Sequence, residues 1–310
     1  MSMGIGAEFE VDMTSGTLSS QTMPTSLDCL PCLLRQAIGV VKKTTGDSER
    51  QASLLKSILQ QSGSLDLSLP PPEIARRMHQ LIQQQTGMTD LYREEKRRQN
   101  AMALSLFPEM QRRVQASEDP FELALRLAIA GNVIDCGVTD EISEQDVIAA
   151  LEKALREPIQ GDLPAFRKAV QSARQILYLA DNAGEIVFDR LLMEQIGFGK
   201  ITLAVRGQEI LNDVTRADAE AVGLDRLVTL IDNGSGVPGT LLADCSADFR
   251  EHFAAAELII SKGQGNFETL CGTSAKVFFL FKVKCEVIAQ RAGMPIGTHV
   301  LLYAKPGSEE

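Results

Sequence analysis

The sequence predicts an α/β protein, a mostly parallel sheet with helices on both faces, preceded by an all-helical domain. Two observations predict it. Between residues 30 and 155 apolar side chains recur at helical spacing, with no strong strand pattern. After Pro164 the texture changes to short apolar runs alternating with amphipathic stretches. Strands that alternate with helices pair in parallel through right-handed crossovers, which gives a doubly wound, Rossmann-like sheet. The 310 residues, 44% hydrophobic and 23% charged, suffice for that arrangement. The expected division is a disordered segment over 1–25, a helical domain over 26–160 and an α/β domain over 161–310. The late strands and the C-terminus are expected to pack back on the helical part.

Each element has its local signal. Cys29-Leu30-Pro31-Cys32 runs into Leu33-Leu34-Arg35-Gln36, so the C-x-x-C pair sits at a helix start. Pro70-Pro71-Pro72 followed by Glu73 opens another helix, because proline is tolerated in the first turn and an acid suits the dipole there. Asp90 is expected to cap a helix over 91–113 whose polar face carries Arg93, Glu94, Lys96 and Arg97. Asp119-Pro120 opens a further one, and 147–155 forms the last of this half. Asn132 and Asp135, three apart in an otherwise apolar helical stretch, share a face. Being polar and buried they need partners, and they read equally as site lining or as structural bracing. Strands are expected at 176–180, 201–205, 227–231, 258–260, 277–285 and 299–303, with helices over 185–196 and 213–221.

Composition excludes some functions. A formal charge of −10 argues against sequence-independent nucleic-acid binding, which needs excess Lys and Arg at phosphates, and against docking on anionic lipid. No apolar run approaches the roughly 20 residues needed to span a bilayer. The first 25 residues lack the basic start and apolar core of a secretory signal. Six cysteines scattered at 29, 32, 136, 245, 271 and 285 suggest reduced thiols and a cytoplasmic location.

Doubly wound sheets carry their sites at the carboxyl ends of the strands. There the 176–180 strand ends in Asp181-Asn182-Ala183-Gly184-Glu185. A carboxylate beside an amide carbonyl offers hard oxygen ligands for Mg²⁺ or Mn²⁺, and Gly184 turns the chain so that the next helix N-terminus faces the same spot. Taken alone, Asp-Asn at a strand end also reads as a helix cap. The next strand leads through Arg206-Gly207 to Asn212-Asp213-Val214-Thr215, and two strands delivering acids to one edge favour a cation between them. Asp218 reads as solvated surface. The fourth strand ends in Ser261-Lys262-Gly263-Gln264-Gly265-Asn266, a lysine suited to phosphate ahead of glycines that allow close backbone approach. This is no Walker motif, because the lysine precedes the glycines. In isolation it also reads as a flexible loop with a surface lysine.

Together these segments resemble the damage-control phosphatase family, formerly domain of unknown function 89. The resemblance rests on Cys29-Leu-Pro-Cys32, Thr86-Gly-Met-Thr-Asp90-Leu-Tyr92 through Lys96, Gly131-Asn132-Val-Ile-Asp135, Asp181-Asn182-Ala-Gly184-Glu185, Asn212-Asp213-Val-Thr215 and Lys262-Gly-Gln-Gly-Asn266-Phe-Glu268. It covers residues 29 to 303, and the C-x-x-C marks a subgroup of archaea and bacteria. Cys136 and Leu91 depart from the family pattern, away from the ligand positions. The resemblance implies hydrolysis of small phosphorylated metabolites, sugar phosphates or damaged cofactors, with a divalent metal (Mn²⁺, Co²⁺, Ni²⁺ or Mg²⁺). It implies Asp181, Asn182 and Asp213 as ligands and Lys262 on the substrate phosphate. Catalysis is therefore expected from Asp181, Asp213 and Lys262. Asn132, Asp135, Gly184, Lys262, Gly263 and Asn266 are expected around the substrate. Two other functions are compatible with parts of the sequence: an S-adenosylmethionine-dependent methyltransferase, disfavoured because only Gly184 follows the first strand, and a non-catalytic thiol or metal-binding module on Cys29 and Cys32.

Overall fold

The structure, a computed structural model, describes residues 22–134 and 144–304. Its helices and strands follow in the order α1 (Leu30–Thr44), α2 (Ser48–Ser62), α3 (Pro71–Thr86), α4 (Arg93–Ala116), α5 (Pro120–Ala130), α6 (Glu144–Ala154), β1 (Ile159–Gly161), α7 (Leu163–Ser172) and β2 (Ile176–Leu179). They continue with α8 (Glu185–Ile196), β3 (Ile201–Val205), α9 (Arg216–Ala221), β4 (Thr229–Asp232), α10 (Ala247–Ala255), β5 (Leu258–Lys262), α11 (Gln264–Leu270), β6 (Val277–Lys282), α12 (Glu286–Ala292) and β7 (His299–Ala304). Local chemistry explains the ends. The Asp47 carboxylate accepts the Glu49 N–H to start α2, and Asp119 accepts the Glu122 N–H to start α5. Gly87, at φ 72°, closes α3 in the left-handed conformation.

One seven-stranded sheet runs β1-β7-β6-β5-β2-β3-β4. Every neighbouring pair is parallel except β6 and β7. From β2 the chain winds outward through β3 to β4, then crosses back to place β5 on the other side of β2. The order therefore reverses between β2 and β5, and a crevice opens at their carboxyl ends. That crevice follows Leu179 and Lys262.

Several expectations are corrected. Strand β1 was not foreseen; three residues on the sheet edge carry too little pattern. The helix expected over 91–113 spans Arg93–Ala116, and Asp90 instead accepts the Tyr92 N–H at 3.0 Å ahead of it. Asn132 follows α5 in a short 3-10 turn, Gly131–Ile134, rather than inside the helix. Asp135 lies outside the described residues, as do most of the segment 1–25 and the chain after residue 304. Asp213 precedes α9, which starts at Arg216 behind a capping box made by Thr215 and Asp218. Asp218 is buried and takes the Lys96 ammonium at 2.8 Å, so it is not solvated surface.

The hydrophobic cores divide elsewhere than at residue 160. Apolar residues of α4 and α5 join α7, α8 and one sheet face in a single cluster, with Phe166 between Phe121 and Phe278 at centroid distances of 5.7 and 5.0 Å. A second cluster covers the other face with α10, α11 and α12. Helices α1 to α3 keep their own core around Val40, Ile58, Ile74 and Ile82, against which Leu211 also packs.

That small core encloses His79. It is 3% exposed, neither ring nitrogen has a hydrogen-bond partner, and burial lowers its pKa to about 4. The unfolded chain takes up this proton near pH 6.5 and the folded chain only near 4, so the native state loses stability as pH falls through that window. The loss approaches about 3 kcal/mol at its lower end. Replacement of His79 by Leu is expected to remove this component, so that the variant's stability relative to the natural chain grows from pH 7 to pH 4.5 in urea denaturation. A constant difference across that range would contradict the assignment.

Candidate active site at the switch point

Backbone pairing builds the site first. After β2, the Asp181 carbonyl accepts the Val214 N–H at 2.9 Å, the Ala183 N–H donates to the Asn212 carbonyl at 2.9 Å, and Asn182 forms an antiparallel bridge with Asp213. This clip forces two acid-bearing loops side by side. It also demands a tight return: Leu211, at φ 47°, is the one described non-glycine residue with positive φ. Such a conformation costs on the order of 1 kcal/mol or more for a branched side chain. Packing of the Leu211 side chain against the α1–α3 core offsets it.

Between the two acids stands Arg206, 2% exposed. Its Nε donates to Asp213 Oδ2 at 2.7 Å, and its Nη2 lies 3.9 Å from Asp181 Oδ1 without a hydrogen-bond partner. Asp181 Oδ2 accepts from Asn132 Nδ2 at 3.0 Å and Asn182 Nδ2 at 2.8 Å. The Asp181 carboxylate also lies flat against Gly263, at φ 78°, where a Cβ would fall 1.9 Å from Oδ2. No other residue fits there.

Below this layer lies a buried charge cluster. Lys262 is fully buried, and its ammonium donates to the Ala128 carbonyl at 2.7 Å, Glu185 Oε1 at 2.6 Å and Asp189 Oδ1 at 2.5 Å. Glu185 Oε2 reaches back to Asn132 Nδ2 at 2.7 Å and Asn182 Nδ2 at 3.2 Å. Burial opposes the lysine's charge, but the Asp189 and Glu185 carboxylates outweigh it and hold its pKa above the ordinary value. Burial pushes Asp189 up to about 7 despite the ammonium beside it. The Tyr178 phenol, buried next to Asp189, is pushed up too.

The structure thus sorts the expected site residues. It brings Asp181, Asn182 and Asp213 together. It places Lys262 beneath them rather than facing solvent, with every ammonium hydrogen taken by a protein acceptor. The backbone N–H groups expected to meet an anion are also occupied: Gly184 donates to Asn100 Oδ1 at 2.6 Å and Gly263 to the Leu280 carbonyl at 3.0 Å. Asn266 braces the floor, donating to the Ala180 and Lys262 carbonyls and accepting from Thr240. Asn132 braces Asp181. Sequence reasoning gave no role to Arg206, Glu185, Asp189 or Asn100. A signal existed for two of them: Glu185 and Asp189 are acids four apart on a helix otherwise lined with buried apolar residues.

Two carboxylates and an amide oxygen form a hard donor set of the kind that suits Mg²⁺ or Mn²⁺, and a carboxylate pair held this close calls for positive charge, which Arg206 supplies in part. Among the described residues no three His, Cys, Asp or Glu side chains gather at metal-coordinating spacing, and the third oxygen donor here is an amide.

The fold and its crevice define a doubly wound α/β protein with an oxygen-rich site at its switch point. The damage-control phosphatase ARMT1-like domain matches residues 25–300, and the chain belongs to that family. A damage-control phosphatase of Pyrococcus horikoshii is 33% identical, over 91% of this chain and 99% of its own. One of Archaeoglobus fulgidus is 32% identical, over 88% and 96%. The crystal structure of a family protein from P. horikoshii superposes with a TM-score of 0.84 at 30% identity, covering 91% of this chain and all of its own. A phosphatase-type hydrolytic activity follows in general terms.

Conversion of Lys262 to Met is expected to strand Glu185 and Asp189 as buried carboxylates and to cost about 3–5 kcal/mol in urea denaturation. A lysine poised only for substrate would show lost activity with unchanged stability.

Proposed function

We propose that the chain hydrolyses small phosphomonoesters, such as sugar phosphates or damaged phosphometabolites, in the cytoplasm and with a divalent cation held by Asp181, Asn182 and Asp213. The observation that carries this is the Asn182–Asp213 backbone bridge, which brings the loops bearing the two carboxylates and the amide side by side in the switch-point crevice. Mn²⁺, Co²⁺, Ni²⁺ and Mg²⁺ all accept such ligands. When bound, the ion supplies Lewis acidity at a phosphoryl oxygen and lowers the pKa of water.

The protein's own groups do the rest. Arg206 Nη2, buried 3.9 Å from Asp181 Oδ1 and without a hydrogen-bond partner, takes a phosphoryl oxygen in this reading, the role the sequence suggested for Lys262. Lys262 acts one layer down: it fixes Glu185, and Glu185 orients Asn182 and, through Asn132, Asp181. A groove of about 740 Å³ shares Asn100 with the start of α8 and carries Arg93, Lys96, Arg97 and Arg98 on its walls. Its size suits a small metabolite, but Asp90, Glu94, Glu209 and Asp218 line the same walls and pair with Arg93, Arg97 and Lys96, so its charge does not select an anion. Among the described residues no helix is long and apolar enough to cross a membrane. Methyl transfer finds no support in the family relationship.

The test is phosphate release from a panel of phosphorylated metabolites with each of the four cations. Activity is expected to depend on the cation and to fall about 100-fold or more in Asp213→Ala. Arg206→Met is expected to raise KM more than it lowers kcat. Full cation-dependent activity in Asp213→Ala would overturn the ligand set.

A further inference from the structure

The C-x-x-C pair has no part in the chemistry above, yet the fold does not leave it isolated. Cys29 occupies the N-cap of α1, and Cys32 lies exposed one turn further on. The segment entering this helix is pinned to α11, because the Met23 N–H donates to the Glu268 carbonyl at 3.0 Å. Cys285 occupies the N-cap of α12. Gln264 joins these parts, its Nε2 donating to Glu268 Oε1 at 3.0 Å and lying 3.7 Å from Cys285 Sγ. Glu268 and Cys285 are also the neighbours that act electrostatically on both Cys29 and Cys32, so three thiols and a carboxylate from segments more than 200 residues apart share one neighbourhood without touching.

We propose that Cys29, Cys32 and Cys285, with Glu268, bind a thiophilic divalent cation such as Zn²⁺, at a site separate from the oxygen ligands of the switch point. Thiolates with one carboxylate form a four-donor set suited to tetrahedral zinc and poorly suited to Mg²⁺. The surroundings favour a cation over redox chemistry. Burial, then the neighbouring Glu268 and Cys285, raise the thiol pKa values of Cys29 and Cys32, so at neutral pH these are weak nucleophiles. Burial likewise pushes the Glu268 carboxyl up to about 7. A divalent ion reverses that balance, and each thiol that binds it releases its proton to solvent. The site is not closed in this conformation: among the described residues no three such groups stand at coordinating spacing. Closure requires the exposed Cys32 and the half-buried Cys29 and Cys285 side chains to turn toward Glu268.

The consequence reaches the catalytic crevice. Helix α11 begins two residues after Lys262 and carries Asn266, which holds the carbonyls of Ala180 and Lys262. An ion tied to Glu268 and Cys285 would clamp that helix to α1 and α12.

Co²⁺ added to the reduced full-length chain serves as a spectroscopic probe. The expected result is thiolate-to-cobalt charge-transfer absorption saturating at one equivalent and displaced by Zn²⁺. It should persist in Asp213→Ala and Cys271→Ser and vanish in Cys32→Ser and Cys285→Ser. On the natural chain, a tenfold excess of Zn²⁺ over its dissociation constant should slow alkylation of Cys29, Cys32 and Cys285 about tenfold while Cys271 reacts as before. This second measurement decides the matter if a variant does not fold. Unchanged alkylation at the three cysteines, absorption that survives in Cys285→Ser, or absorption lost in Asp213→Ala would overturn the proposal.

Discussion

The buried ammonium of Lys262 is the constraint around which the rest of the site is arranged. A charge wholly removed from water is tolerated only when opposite charges and hydrogen bonds surround it. Here those partners come from the Ala128 carbonyl at the end of α5 and from Glu185 and Asp189 on α8. Lys262 itself ends β5. One cation therefore couples a strand to two helices that pack face to face, and the coupling is costly to break at any point. Glu185 then passes the constraint upward to Asn132 and Asn182, and through Asn132 to Asp181.

A second constraint acts from the side. The return of the chain between β3 and α9 is held by backbone pairing to the Asp181 loop and by the side chain of Leu211 in the α1–α3 core. The N-terminal helices are thus more than a lid on the sheet. They offset the strain of a left-handed leucine, and that strained residue sets where Asn212 and Asp213 point. Arg206 completes the arrangement. Two carboxylates drawn together by the backbone would repel, and a guanidinium hydrogen-bonded to one and near the other lowers that cost.

Much of the fold was legible in the sequence because its signals are local. Strand β3 and helix α8 fall where their apolar periodicity placed them, and the proline and aspartate starts of α3 and α5 mark those helices. Strand β1 was missed because three edge residues have no period to read. Asp218 was misjudged because its neighbours on α9 do not reveal Lys96, which arrives from 122 residues earlier. The site was legible to a similar depth. The strand-end rule pointed to Asp181, Asn182 and Asp213, and six motifs in order identified the family.

The sequence by itself determined the alternation of strands with helices, the acids at the strand ends and the family, since each depends on residue types at short or fixed spacing. Tertiary structure alone decided what those residues face. A lysine after an apolar strand is the same in sequence whether it meets solvent phosphate or two buried carboxylates. A glycine N–H is the same whether it awaits an anion or already donates to Leu280 or Asn100. Burial and partnership are properties of elements distant in the chain, brought together by the sheet order and by packing, so only the folded molecule could show that Lys262 faces Ala128, Glu185 and Asp189 rather than solvent.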